Sequence, residues 1–117
     1  MKVAMTSSGG NLAAPLDSRF GRAARFLIYD TDGGTLTVLD NRDNAAAAQG
    51  AGIQAAKTIV DSGTGALITG NCGPKAFQAL SAAGIKVYSC NAATCREALE
   101  MYRSGALTAL EAPQRGG

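Results

Sequence analysis

The groups in this sequence best suited to chemistry are three thiols and a few basic side chains, all set among small residues. Cys72, Cys90 and Cys95 are the three cysteines, and each falls in or beside a short polar break between apolar runs. Two such breaks, Gly70-Asn71-Cys72-Gly73-Pro74 and Cys90-Asn91-Ala92-Ala93, run straight into segments with helical spacing; a third, Ser7 to Asn11, follows the first apolar run. Arg19, Arg22, Lys75 and Arg96 lie in or beside the long first loop and the two helix starts. A thiol at a helix N-terminus can have a depressed pKa and act as a soft ligand for copper or iron. Cys72 is the first choice for that role, ahead of Cys90 and Cys95. Backbone N–H groups at helix starts, with Arg and Lys nearby, suit a compact anion. On the residues alone a plainer account is the favoured one: Gly and Asn build tight turns and the basic side chains are solvated.

Other chemistries are excluded more firmly. The chain has no histidine, which removes the commonest general base and metal ligand and with it the Ser-His-Asp, Cys-His and HExxH arrangements. Cys-x17-Cys-x4-Cys is not a zinc spacing, and no CxxC is present. Neither GxGxxG nor GxxxxGK[ST] occurs between a strand and a helix, so nucleotide binding is weakly supported. The first apolar run, Lys2-Val3-Ala4-Met5-Thr6, carries no acid, and Asp17, Asp30 and Asp40 make no metal-holding set; Asp17 is expected to anchor its own loop against Arg19 or Arg22. Hydrolysis by clustered acids and metals is therefore not expected, nor is any enzymatic activity. A net charge of +2, 5% aromatic residues and no Trp give neither a phosphate-binding face nor a base-stacking platform, so nucleic acid is not expected as a partner.

The 117 residues, 46% hydrophobic and 17% charged, suffice for one folded domain, read as 1–110 with a flexible tail at 111–117. No run approaches the ~20 apolar residues of a membrane span, and Met1 to Gly10 lacks a signal-peptide core. A cytoplasmic protein with reduced thiols is expected. Val3–Thr6, Arg25–Asp30 and Thr35–Asp40 read as strands, the last two joined by the hairpin turn Thr31-Asp32-Gly33-Gly34. Leu12 to Ala24 is too polar and irregular for a core element. The pattern then becomes helical over Ala45–Asp61, with Ile53, Ala56, Ile59 and Val60 as its spaced apolar positions. Gly50 and Gly52 weaken the first half, so a late start is expected, and Gly63 suits the C-terminal cap. Ala66–Thr69 is a buried strand. Pro74 opens a helix with Phe77, Leu80 and Ala83 inward, Ile85–Tyr88 is the next strand, and Thr94-x-x-Glu97 is a capping box for a last helix stopped by Gly105. The order β-β-β-α-β-α-β-α predicts an α/β fold with a five-stranded mixed sheet and helices on both faces. Ligands of such sheets gather beyond the carboxyl ends of the parallel strands, where the three loops lie.

Four spaced motifs carry a family resemblance. Pro15-Leu16-Asp17-Ser18-Arg19-Phe20-Gly21-Arg22-Ala23, Gly50-Ala51-Gly52-Ile53-Gln54-Ala55-Ala56, Thr69-Gly70-Asn71-Cys72-Gly73-Pro74-Lys75-Ala76-Phe77 and Ala83-Gly84-Ile85-Lys86-Val87-Tyr88 resemble, in order, the dinitrogenase iron–molybdenum-cofactor accessory family. The resemblance implies a ribonuclease-H-like three-layer sandwich without nuclease acids. It also implies a protein that binds iron–molybdenum cofactor or a precursor, or, in a single-domain branch, a mixed molybdenum–copper sulfide cluster held noncovalently. Some cofactor carriers of the family use His; its absence here favours the molybdenum–copper branch. An anionic cluster that brings its own sulfides needs only charge, N–H donors and partly apolar cover. The roles expected are anion attraction by Arg19, Arg22 and Lys75, donors around Asn71 and Gly73, and cover from Phe20. The first loop would contribute Ser7, Gly10 and Asn11, the far side Ala92, Thr94 and Arg96, and Cys72 an extra soft ligand. Partner proteins in cluster delivery or regulation, and a monomer or weak dimer, complete the expectation; the alternative is a non-catalytic regulatory module that docks on a partner protein through these loops.

Overall fold

The computed structural model describes residues 1–112. Its elements in chain order are β1 (Lys2–Ser7), β2 (Arg25–Asp30), β3 (Leu36–Asp40), α1 (Arg42–Ala45), α2 (Ala51–Asp61), β4 (Ala66–Thr69), α3 (Pro74–Ala82), β5 (Lys86–Ser89) and α4 (Cys95–Arg103). They build one five-stranded sheet in the order β3-β2-β1-β4-β5. The hairpin pairs β2 antiparallel to both β1 and β3, while β4 lies parallel to β1 and β5 parallel to β4. Four of the five strands therefore point the same way, and β1, β3, β4 and β5 all end at one rim.

Alternation along the strands divides the core between the two faces. Ala4, Phe26, Ile28, Leu67 and Val87 face α2 and α3, which contribute Ala55, Ala56, Ile59, Ala76, Phe77 and Leu80. Val3, Met5, Leu27, Ala66 and Ile68 face α4 through Cys95, Ala98 and Leu99. Helices thus cover both faces, as the element order predicts. β4 is buried along its whole length because it sits between two parallel neighbours with helices above and below.

The helices differ in detail from their sequence reading. The long apolar pattern splits into the one-turn α1 and the later α2, which begins where Gly50 takes a left-handed φ of 77°. The inward stripe of α2 is Ala51, Ala55, Ala56 and Ile59, whereas Ile53 and Val60 point to solvent. Alanines let α2 lie close against α3, where larger side chains would hold the helices apart. Ala83, expected on the inner face of α3, is its exposed C-terminal cap residue. α4 carries its expected cap: Thr94 Oγ1 accepts from Glu97 N at 3.2 Å, although the Glu97 carboxylate reaches Ala93 N rather than that of Thr94. After α4 the chain returns to the sheet edge, where Ala109 bridges Tyr88 and Leu110 N donates to Val87 O at 2.8 Å. Most of the predicted tail, 113–117, lies outside the described residues.

Candidate functional site

Besides the one-turn α1, three helices start at the rim where the strands end, and their N-termini are treated differently. α4 is closed: besides the Thr94 cap, Cys95 N donates to Ala14 O at 3.0 Å and Arg96 N to Leu12 O at 2.8 Å. The first loop has folded over this helix start, and Pro15 bridges Thr94. α2 and α3 are open. Their N-cap residues are Gly50 and Gly73, neither with a side chain to accept from the first turn. In a helix start of this kind the first N–H groups lack intrahelical acceptors and carry the positive end of the dipole. Pro74 has no N–H to offer at the first position of α3, so Lys75 and Ala76 supply the donors there.

Both open starts border one cleft of about 1360 Å³, whose walls include Gly50 to Ile53 and Gly73 to Ala76. The segment Ser18 to Arg22 forms a third wall, and Ser89, Cys90, Asn91, Ala92, Met101 and Leu107 form a fourth. A smaller concavity of about 410 Å³ lies elsewhere, between α2 and the hairpin around Ile28 and Leu39. It has no convergent helix ends.

The loop wall is held by a small number of specific contacts. Asp17 Oδ1 accepts from Arg19 N at 2.8 Å, so Asp17 anchors its own loop as expected. Phe20 N donates to Asn71 O at 3.1 Å and joins this loop to the one after β4. The Phe20 ring is buried and stacks on Phe26 at 5.5 Å, which makes it part of the floor and not a lid. The buried Asn41 donates from Nδ2 to Ala23 O at 2.8 Å, and Arg22 Nη1 donates to Ala45 O and Ala47 O at 2.7 Å each. These bonds tie the loop to α1. Glycines set the remaining approaches. A Cβ on Gly21 would lie 2.8 Å from Gly52 N, and one on Gly70 would lie 2.6 Å from Ser18 Cα. Only Gly at these two positions lets backbone meet backbone.

The sequence-predicted residues fall into two groups. Arg19, Phe20, Arg22, Asn71, Gly73, Lys75 and Ala92 line the cleft. Ser7, Gly10, Asn11, Cys72, Thr94 and Arg96 are absent from its lining. Ser7 is buried and donates to Pro15 O, Asn11 accepts from Ala13 N within its own turn, and Thr94 caps α4. Gly10 and the side chain of Arg96 are exposed on the surface beyond the folded first loop. Cys72 turns into the core beneath α2 and α3, and burial pushes its thiol up to about 11. That is the opposite of the depressed pKa expected at a helix start. Burial likewise raises Cys95, whose sulfur lies 3.8 Å from Thr6 O and 3.7 Å from Pro15 O. Cys90 alone of the three lines the cleft. Sequence reasoning had Gly50 and Gly52 as a helix start but not as part of a site; the sign that could have placed them is that a Gly N-cap leaves a helix end open.

The architecture and the cleft define an open-sheet α/β domain built around a cavity at the carboxyl ends of its strands. The chain belongs to the dinitrogenase iron-molybdenum cofactor family, whose model matches residues 1–105. It is 30% identical over 107 residues to an uncharacterized protein of Methanocaldococcus jannaschii, covering 86% of this chain and 91% of that protein. Among solved structures it is similar to the apo form of the orange protein from Desulfovibrio gigas, with 40% identity, a TM-score of 0.94, and coverage of 97% and 96% of the two chains. A NifB-like protein of the DUF35 family from Thermotoga is 38% identical with a TM-score of 0.86, over 99% of this chain and 98% of that one. Among the described residues no helix is long and apolar enough to cross a membrane.

Proposed function

We propose that this chain is a non-catalytic holder of an anionic molybdenum–sulfur cluster, seated without covalent bonds in the cleft between the starts of α2 and α3. The observation that carries this reading is the pair of open helix N-termini facing one cavity: both are capped by glycine, and Lys75 and Arg19 stand exposed on its walls. Oriented N–H groups and nearby cations favour a polyanion whose metals already have their sulfur ligands. The donor set argues against a hard or borderline divalent ion as the occupant, because the described residues contain no group of three or more His, Cys, Asp or Glu placed to hold one. Cys72 is assigned to the core and not to the cluster, since ligation would require a buried thiol to turn out of the α2–α3 packing and lose its proton.

Membership of the family supports a cofactor-related cluster, and the likeness to an orange protein solved in its apo form supports a mixed molybdenum–copper sulfide cluster in particular. Iron–molybdenum cofactor or a precursor is the second occupant the family name favours. In this reading the domain spans residues 1–110, has the ribonuclease-H-like arrangement the motifs imply, acts in the cytoplasm as a monomer or weak dimer, and passes its cluster to partner proteins. The test is an anaerobic titration of metal-free protein with tetrathiomolybdate and copper, followed by desalting and metal analysis. A saturable coloured complex of fixed Mo:Cu ratio is expected. Failure to retain molybdenum with or without copper, set against retention of an iron–molybdenum precursor, would move the assignment to the second occupant.

A further inference from the structure

The wall of the cleft opposite the Arg19 loop contains two sulfur atoms that the cluster reading does not use. Cys90 Sγ and Met101 Sδ lie 3.8 Å apart, and both residues line the cavity. They come from different elements: Cys90 follows the end of β5, and Met101 sits two turns into α4. Their meeting is set by the packing of α4 on the sheet, because Cys90, Cys95, Ala98 and Leu99 share one core cluster with Met101 against it. Ala92 N donates to Cys90 Sγ at 3.4 Å, a hydrogen bond that a thiolate would keep.

We propose that Cys90 and Met101 form a two-sulfur site for a soft monovalent cation, Cu(I), on the wall of the cleft. A thiolate with a thioether is a donor set that selects Cu(I) over harder divalent ions. The spacing fits. With metal–sulfur bonds of about 2.3 Å, the length typical of a d10 ion on thiolate, two sulfurs about 3.8–4.0 Å apart subtend roughly 110–120° at the metal. That is a trigonal arrangement with its third position open to the cavity. Binding replaces the Cys90 S–H bond with an S–Cu bond and releases the proton to solvent; copper stays Cu(I) throughout, so no oxidant or reductant is consumed. The S–H that points at Met101 in the metal-free chain occupies the place the ion would take.

The site goes beyond the proposed cluster and does not require it, so the experiment uses Cu(I) alone. Full-length metal-free protein is titrated anaerobically with Cu(I) against bicinchoninate as competitor, and the copper shell is read by X-ray absorption. Wild type is expected to bind one Cu(I) per chain in an all-sulfur shell. Cys90→Ser should weaken this at least about a hundredfold and Met101→Leu about tenfold, since loss of a ligand costs no less than loss of a group supporting one. Met101→Leu conserves volume and so reports on the sulfur even if Cys90→Ser perturbs packing. Cys72→Ala and Cys95→Ala should bind as wild type. Unchanged affinity in Cys90→Ser or Met101→Leu, equal losses in all three cysteine variants, or no stoichiometric Cu(I) in the wild type would overturn the proposal. With no molybdenum present, the sulfur pair can fail while thiomolybdate binding stands, and the reverse.

Discussion

Gly21 and Gly52 face each other where the Arg19 loop meets the start of α2, and alanine at each should have opposite effects. A Cβ on Gly21 would sit 2.8 Å from Gly52 N, 2.9 Å from its Cα and 3.2 Å from Ala51 C. All three atoms belong to helix backbone that cannot swing aside, so the loop must retreat by roughly half an ångström or more. Overpacking of this kind costs about 1–3 kcal/mol, offset by about 0.4–1 kcal/mol from the stiffer unfolded chain. A net loss of about 1–2 kcal/mol follows. At about 2.1 cal/mol/K of unfolding entropy per residue, a chain of 117 residues loses about 4 °C of Tm per kcal/mol, or roughly 4–8 °C. Gly52→Ala meets only Ala76 Cβ at 3.5 Å, an ordinary contact, and it replaces Gly inside a helix, a gain of up to about 1 kcal/mol. Its Tm should rise by up to about 4 °C. Calorimetry of both variants in metal-free buffer decides the matter. Two shifts of the same sign, or a Gly21→Ala protein as stable as wild type, would refute the claim that this contact sets the loop wall.

Other consequences follow from the same contacts. Arg19→Ala with Lys75→Ala should weaken cluster retention by roughly three- to tenfold at low salt, with the difference shrinking as salt screens the charges; cluster retention after desalting at two salt concentrations measures it. Asn41→Ala leaves Ala23 O without its 2.8 Å donor and should cost about 1–3 kcal/mol in urea unfolding. Thr94→Ala removes the cap of α4 and should cost about 1 kcal/mol by the same assay. Because burial raises the Cys72 thiol to about 11 from 9.0, the unfolded chain loses this proton first as pH rises. Stability from Cys72 is therefore complete below pH 9 and falls between 9 and 11, by roughly 2–3 kcal/mol. Cys72→Ala should flatten that part of the stability–pH curve.

The local signals in the sequence were reliable where one residue type decides the backbone. Gly63 and Gly105 take positive φ just past the helices they were expected to close, Gly34 takes it in the expected hairpin turn, and β2 and β4 span the residues read for them. The cavity was legible only in part because it is a tertiary product. The rule that ligands gather at strand ends pointed to all three loops, but it does not say which helix starts stay open. Leu12, Ala14 and Pro15 seal α4, and this removes Ser7, Asn11 and Thr94 from the cavity wall. Gly50 to Ile53 enters it because α2 packs beside α3, a pairing of helices that begin at Ala51 and Pro74 and that no periodicity records. The same is true of Met101: a half-buried helix position reads as core, and only its 3.8 Å approach to Cys90 gives it another meaning. Arg22 lines the cleft as its charge suggested, but that its Nη1 also donates to the carbonyls of Ala45 and Ala47 is a tertiary contact the sequence does not record.

The central claim is that the open starts of α2 and α3 receive the anion. Amide chemical shifts of isotopically labelled protein, followed during anaerobic addition of tetrathiomolybdate and copper, test it most directly. The largest changes are expected at the N–H groups of Ala51, Gly52, Ile53, Lys75 and Ala76, with Cys95 and Arg96 little affected because their donors are already bonded to Ala14 and Leu12. Shifts centred on Cys95, Arg96 and the Ser7–Asn11 loop, with the first turns of α2 and α3 unmoved, would contradict it.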